Sequence, residues 1–317
     1  MNQKFQKPIL ILFLAICWLV ASTVSLINQS KPVQSHKPQV LGITDETPRD
    51  PAQKARVPMR KEPFNVNAQA DVLGKAYLVV DNQTQTILLE KSPNLKLPIA
   101  SITKLLTALT AYEHLDPMEN YLTPNIEQHY QIRPTLNLKP GQTVFMLDLL
   151  KSSLVCSAND SAQALALITE AHTQQKFVDL MNQTAQNIGM VNSHFSNALG
   201  FDSQYNYSTA SDLLKLAKFS QNISAIKQLG KHKGVAFSSV EGQTYFCKSS
   251  NKLISESEEF ENLKTGWTEN SGGSMIVKAK NNQNEVLIIL LNSPQREKDV
   301  KQLAELAFSQ FYWDLEK

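Results

Sequence analysis

A chain of 317 residues with 42% hydrophobic content can bury a substantial core in one large domain or two ordinary ones, which excludes wholesale disorder. Its 31 lysines and arginines nearly balance 29 aspartates and glutamates, so no general attraction to nucleic acid or anionic lipid is implied. Any charged partner must be recognised locally.

Residues 1–8 carry Lys4 and Lys7 and no acid, and residues 9–27, ILILFLAICWLVASTVSLI, form an uncharged run about long enough to cross a bilayer. The basic flank predicts a short cytoplasmic start followed by an uncleaved single-pass membrane helix. A cleaved signal peptide is the alternative, with Val20-Ala21-Ser22 a passable small-residue site. Both readings export everything that follows. Residues 28–67 read as an extended extracytoplasmic linker, since residues 31–65 alone hold six of the 14 prolines and almost no apolar periodicity. Cys17 lies within the apolar run, where bulky Ile16 makes a lipid-attachment site a poor reading. Cys156 and Cys247 are the two remaining thiols; they could pair in an oxidising compartment, but their spacing matches no disulfide framework, and buried free thiols are the preferred reading.

From residue 68 to 317 the pattern is that of one folded domain. Two apolar runs flank Asp81-Asn82-Gln83-Thr84, a hairpin signature. A helix follows from near Ser101, with Leu105, Leu109 and Tyr112 on one side, and further helices are predicted over residues 143–155, 159–173 and 176–188. After Gly230 strands return at 234–240, 243–250, from Lys264 onward, at 273–280 and at 285–293, with a turn at 281–284. An amphipathic helix over residues 295–317 closes the chain, with Val300, Leu303, Leu306, Ala307 and Phe311 facing inward. The order predicts an α+β fold, one antiparallel sheet flanked by helices.

Several chemistries lack a signature. The six histidines form no His-Glu-x-x-His pair, no Cys-x-x-Cys exists, and no glycine-rich phosphate loop or Gly-x-Ser-x-Gly elbow occurs. No metal or cofactor is called for. Serine chemistry with a base other than histidine remains. Ser-x-x-Lys occurs at Ser101/Lys104, Ser224/Lys227 and Ser249/Lys252, so the motif alone is weak. Only Ser101/Lys104 heads a long apolar helix, where i and i+3 share a face. Ser157-Ala158-Asn159 stands between two helical runs, and Lys264-Thr265-Gly266 occurs once, opening a strand where Gly266 lets a substrate backbone approach closely.

These three elements in this order, with ASITKLLTALTA, SANDSAQALAL, NIGMVNSHFSNALGFD, NYSTASDLLKLAKF and LKTGWTENSGGSMIVKA around them, resemble the D-alanyl-D-alanine carboxypeptidases, the low-molecular-mass penicillin-binding proteins. The resemblance covers most of residues 76–293. It implies a serine β-lactamase/DD-peptidase-like fold and an extracytoplasmic enzyme at the bacterial cell membrane. The implied partner is a peptidoglycan stem peptide ending in D-Ala-D-Ala, with β-lactams as inhibitors. Ser101 is implied as nucleophile and Lys104 as its base, helped towards neutrality by burial and by Lys264. Ser157 would relay a proton to the leaving amine, and Asn159 would bind the substrate backbone and help hold Lys104. Lys264 and Thr265 would hold the terminal carboxylate beside Gly266, and the N–H groups of Ser101 and Trp267 would form the oxyanion hole. His194 and Asn197 are read as turn residues.

The better-known members carry a second, β-rich domain and a carboxy-terminal amphipathic anchor; here the expected anchor is residues 9–27 instead. Three rivals stay open. A class A β-lactamase would need a Glu-x-x-Leu-Asn segment that is absent between Asn159 and Lys264. A D,D-endopeptidase would use the same residues on cross-links, and a membrane-tethered β-lactam sensor would also be acylated at Ser101.

Overall fold

The computed structural model describes residues 56–63, 65, 71–130 and 132–315. Residues 9–27 and most of the proline-rich segment lie outside them; among the described residues no helix is long and apolar enough to cross a membrane.

The framework is a five-stranded antiparallel sheet built from β2 (Ala76–Asp81), β3 (Ile87–Lys91), β8 (Phe260–Thr268), β9 (Gly272–Asn281) and β10 (Asn284–Ser293), in the order β3-β2-β10-β9-β8. β1 (Arg56–Arg60) lies in a separate two-stranded sheet. The inner strands carry apolar residues on both faces through their middle stretches because both faces are covered. Leu78, Val80, Ile276, Leu287, Ile289 and Leu291 point into the core that contains the helices. Their neighbours Tyr77, Val79, Met275, Val277, Val286, Ile288 and Leu290 point the other way, onto Val300, Leu303 and Ala307. The hairpin turns fall where the sequence puts them: the Asp81 carboxylate accepts from Thr84 N at 2.6 Å, and Asn282 takes a φ of 55° between β9 and β10.

On the first face sit α1 (Thr103–His114), α2 (Met146–Val155), α3 (Asn159–Thr173), α4 (Phe177–Asn187) and α5 (Ala210–Gln221), with the short α6 (Ser224–Lys227). Every residue of α1 from Thr103 to Ala111 is buried, so it is the central helix of the domain rather than a surface amphipath. A small sheet of β4 (Asn120–Leu122) and β5 (Thr143–Phe145) and the hairpin β6 (Gly234–Ser238) and β7 (Thr244–Lys248) complete this side. The short α7 (Leu253–Glu256) precedes β8, and α8 (Arg296–Gln310) covers the opposite face.

Three expectations change. Residues 143–145 are strand rather than helix, because Thr143-Val144-Phe145 pairs with β4 and the helix starts at Met146. The Lys264 motif does not open its strand: β8 begins at Phe260, whose ring enters the second core, and a register shift between Asn262 and Lys264 re-aims the motif. The closing helix stops at Gln310, and β11 (Phe311–Leu315) pairs antiparallel with β1 in the stretch read as linker. Phe311 and Trp313 are buried while Tyr312 is exposed, the period of two that makes this segment a strand. Pro58 is tolerated because the pair is all edge.

Trp313 ties this ribbon to the main sheet, its indole N–H donating to Asp81 Oδ2 at 2.7 Å in a buried setting. Trp313→Ala should lower unfolding stability by about 3–5 kcal/mol in urea titrations, whereas the neighbouring exposed Tyr312→Ala should change it by less than about 1 kcal/mol.

Candidate active site

Ser101 lies in a single 3-10 turn, Ala100–Ile102, that leads into α1. Ala100 has a φ of 47°, a left-handed conformation that costs about 1–2 kcal/mol at a residue with a Cβ. Two glycines press on the turn and hold it. A Cβ on Gly266 would lie 2.7 Å from Ile99 O and 3.2 Å from Ala100 Cβ, and one on Gly200 would lie 2.9 Å from Ser101 N and closer still to Ala100 O. Gly266 is therefore required by the close approach of this turn.

Lys104 lies one helical turn beyond Ser101, wholly buried, and its Nζ donates to Ser101 Oγ at 2.8 Å and to Leu199 O at 2.9 Å. Burial pushes its pKa down to about 7. The accepting carbonyl is fixed by Asn197, whose Oδ1 receives the N–H groups of Leu199, Gly200 and Phe201 at 3.2, 2.7 and 3.0 Å. Asn197 is a turn residue, as its sequence context suggests, and its turn supplies an acceptor to Lys104. His194 is likewise a turn residue, its Nδ1 lying 2.6 Å from Tyr205 O.

A second serine–lysine pair faces the first. Ser157, at a φ of 63° between α2 and α3, has its Oγ 2.9 Å from Lys264 Nζ, which also donates to Thr265 O at 2.9 Å. The Lys264 pKa is well below the ordinary lysine range, through burial first and then through the positive charges of Lys104 and Arg296. Asn159 does not hold Lys104: its side-chain amide donates to Ile132 O at 2.7 Å and its N–H to Pro134 O at 2.8 Å, clamping that loop beside Ser157. Thr265 Oγ1 lies 2.7 Å from Ser250 Oγ.

Arg296 was not singled out by its local sequence. Its Nη1 donates to Gly266 O at 2.9 Å, and it opens α8, where the helix dipole disfavours a cation. That misfit was the available signal. Among the described residues no carboxylate forms an ion pair with Lys104 or Lys264, while Arg296 Nε pairs with Glu297 Oε1 at 2.9 Å; the Lys264–Arg296 side of the site is the part suited to an anionic group. Among the described residues no group of His, Cys, Asp and Glu is arranged to hold a metal.

Residues 63–295 match the family model described as D-alanyl-D-alanine carboxypeptidase. The chain belongs to this family. Its curated relatives include a D-alanyl-D-alanine endopeptidase of Pseudomonas aeruginosa, 27% identical over 80% of this chain and 79% of that protein. The endopeptidase of Haemophilus influenzae is 32% identical over 64% and 70%, and carboxypeptidase DacF of Bacillus subtilis is 24% identical over 75% and 62%. The solved structure of the Streptomyces K15 DD-transpeptidase superposes with a TM-score of 0.69 at 25% identity, over 75% of this chain and 98% of that one. The fold is DD-peptidase-like, α+β with an antiparallel sheet and flanking helices.

Within this member of the carboxypeptidase family, one expectation is overturned. Cys156 and Cys247 are not free thiols but a disulfide joining the end of α2 to β7 across a sequence separation of 91 residues. Their proximity arises only when Val235 pairs with Cys247 and the β6–β7 hairpin docks near α2, which no spacing rule reveals. Because Cys156 directly precedes left-handed Ser157, the bridge anchors the turn that carries the second serine. Cys247→Ser, or reduction, is expected to lower unfolding stability by about 2–5 kcal/mol and to slow Ser101 acylation by fluorescent penicillin. An unchanged acylation rate would show that the turn holds without the bridge.

Proposed function

We propose that this protein is a serine D-alanyl-D-alanine carboxypeptidase that removes the terminal D-alanine from peptidoglycan stem peptides through a Ser101 acyl-enzyme. The observation that carries the reading is the 2.8 Å hydrogen bond between Ser101 Oγ and a buried Lys104 whose pKa is pushed down to about 7. A lysine neutral near physiological pH has a lone pair with which to take the serine proton. Ser101 Oγ attacks the carbonyl between the two D-alanines as its proton passes to Lys104 Nζ. The N–H groups of Ser101 and Trp267 receive the oxyanion. When the C–N bond breaks, Ser157 passes a proton to the leaving nitrogen and takes in its place the one held on Lys104, which returns Lys104 to its neutral form; Lys264, in contact with Ser157, supports that transfer. Thr265, Lys264 and Arg296 receive the terminal carboxylate, which restricts the enzyme to chain ends. Water then attacks the ester, Lys104 again taking the proton, and β-lactams occupy the same route as D-Ala-D-Ala mimics.

Endopeptidase activity on cross-links is the second reading. It is favoured by the relatives of that name from Pseudomonas aeruginosa, Haemophilus influenzae and Escherichia coli, of whose length the chain spans 79, 70 and 73%. We further place the enzyme on the outer face of the cell membrane, held by residues 9–27. The Cys156–Cys247 bridge supports this, since disulfides persist in oxidising compartments.

Release of D-alanine from a peptide ending in Lys-D-Ala-D-Ala tests the reading, with Ser101→Ala expected to lose at least about 1,000-fold in kcat/KM. A cross-linked dimer as competing substrate separates the two activities, and rapid penicillin hydrolysis would sink both. Ser101 acylation should rise with pH through about 7 and then level off, because the unprotonated form of Lys104 is the active one. The sign for stability follows from the same shift: below the ordinary lysine pKa the unfolded chain takes up a proton that native Lys104 resists, so folding weakens as pH falls towards about 7. Lys104→Met should accordingly abolish acylation while raising unfolding stability by roughly 2–4 kcal/mol at neutral pH.

A further inference from the structure

Outside the Ser101 site the surface carries a groove that the chemistry above does not use. One wall is α4, along which Asp179, Gln183 and Gln186 repeat at i, i+4 and i+7 and so form a single exposed stripe. The other is the chain at Ser193-His194, and buried Met190 lines the groove as well. It spans about 500 Å³, the size of a small-ligand site rather than of a bound ion. The walls are braced: Asn182 Nδ2 donates to Phe195 O at 2.8 Å and its Oδ1 accepts from Phe195 N at 3.0 Å, which ties this chain segment to α4. Among the described residues the side chains of Asp179, Gln183 and Gln186 have no hydrogen-bond or ion-pair partner. Aromatic rings continue the groove beyond His194. Its imidazole stacks with Tyr207 at 6.3 Å between centroids and meets Tyr205 edge-on at 6.5 Å, with Nδ1 engaged on Tyr205 O and Nε2 still available. Lys96 Nζ lies 5.1 Å from the Tyr207 centroid, and Tyr205, 59% exposed, is the ring left open.

These features select among ligand classes. An extended peptide would need a free main-chain edge, but the N–H and the carbonyl of His194 are both taken by Tyr207, each at 3.0 Å. An anionic polymer would need cations, and among the described residues the groove is lined by one acid and by no lysine or arginine. A saccharide needs what is present: an open ring to cover the apolar face of a pyranose, amides that both donate and accept, and a carboxylate that accepts from hydroxyls. We propose that this groove, together with Tyr205, docks a glycan chain of N-acetylated amino sugars. The choice of that class of saccharide rests on the functional reading above, because the stem peptides it concerns hang from such chains. Gln183 and Gln186 meet the acetamido and hydroxyl groups, and the Tyr205 ring covers a sugar face. The groove is joined to the nucleophile by ordered backbone. The segment that begins at His194 runs into the Asn197 turn that presents Leu199 O to Lys104, and Asn206, next to Tyr205, donates through Nδ2 to Thr103 Oγ1 at 3.3 Å. A chain held there raises the local concentration of its own peptides at Ser101 without any new contact to the peptide.

The test uses the full-length protein with chitotetraose, a neutral N-acetylglucosamine tetramer, and peptide-free glycan strands as binding probes. Wild type and Ser101→Ala should bind both. Tyr205→Ala, or Gln183→Ala combined with Gln186→Ala, should weaken binding about tenfold through the loss of one stacked ring or two hydrogen bonds, and Tyr205→Phe should keep most of it. D-Alanine release from Nα-acetyl-Lys-D-Ala-D-Ala should stay within about twofold of wild type in these variants, while release from uncross-linked polymeric peptidoglycan should fall about fivefold in kcat/KM. Labelling by fluorescent penicillin at the wild-type rate reports that a variant is folded; if Tyr205→Ala fails that check, the paired glutamine variant, on the exposed stripe of α4, decides. No binding of either probe by wild type, binding that survives both variants, or equal loss on peptide and polymer removes the groove and leaves the functional reading standing. Glycan binding that is lost in the variants, with no D-alanine released from any substrate, monomeric or cross-linked, overturns the functional reading and keeps the groove.

Discussion

The interaction on which this site depends is the burial of Lys104 without a carboxylate partner. An ammonium taken out of water with one carbonyl and one hydroxyl for company is poorly compensated, and the imbalance moves its pKa to about 7. The depth of α1 enforces that burial. The helix is enclosed from Thr103 to Ala111, so Lys104, its second residue, has no exposed surface. Desolvation is the cause at Lys104, and at Lys264 desolvation comes first with the charges of Lys104 and Arg296 added to it. Lys264 is equally buried and has the Ser157 hydroxyl and the Thr265 carbonyl as its hydrogen-bond partners.

Around this imbalance the fold stores local strain and contains it. Ala100 and Ser157 both adopt left-handed backbone, and each is followed or occupied by a serine of the site. Each turn is locked by something that cannot yield. Backbone of Gly200 and Gly266 packs against the first, and a disulfide and the Asn159 clamp on the 132–134 loop hold the second. The sheet supplies the reference frame. With both faces of β2, β9 and β10 sealed by separate cores, β8 is the strand left with a free edge beside the Ser101 turn. On that strand the Thr265 and Gly266 carbonyls accept from Lys264 and Arg296, which ties both cations to the frame.

How much of this the sequence disclosed depended on whether the signal was local. The hairpin at Asp81-Asn82-Gln83-Thr84, the alternation in β9 and β10, and the helical periods of α1, α3 and α4 lie within single elements, and all are where the sequence places them. Ser101 and Lys104 are one helical turn apart, so their contact was also legible. Features that need two distant segments were not. β1 lacks apolar character until β11 pairs with it, Cys247 approaches Cys156 only through a hairpin, and Arg296 reaches Gly266 from the far end of the chain. The contacts of Asn159 with a loop carbonyl and of Gly266 with the nucleophile turn were illegible for a related reason: each joins segments far apart in the chain.

The charge pattern adds a constraint that motifs do not express. Net charge over the whole chain is +2, yet the site gathers Lys104, Lys264 and Arg296, and among the described residues the one carboxylate paired with any of them is Glu297 on Arg296. Burial disfavours the charged form of both lysines, which keeps Lys104 ready to accept a proton near neutral pH. An anionic group entering beside Lys264 would favour its ammonium, so that binding and the protonation state of the site are linked. The selectivity of the cleft then comes as much from the charges it leaves unpaired as from the contacts it makes.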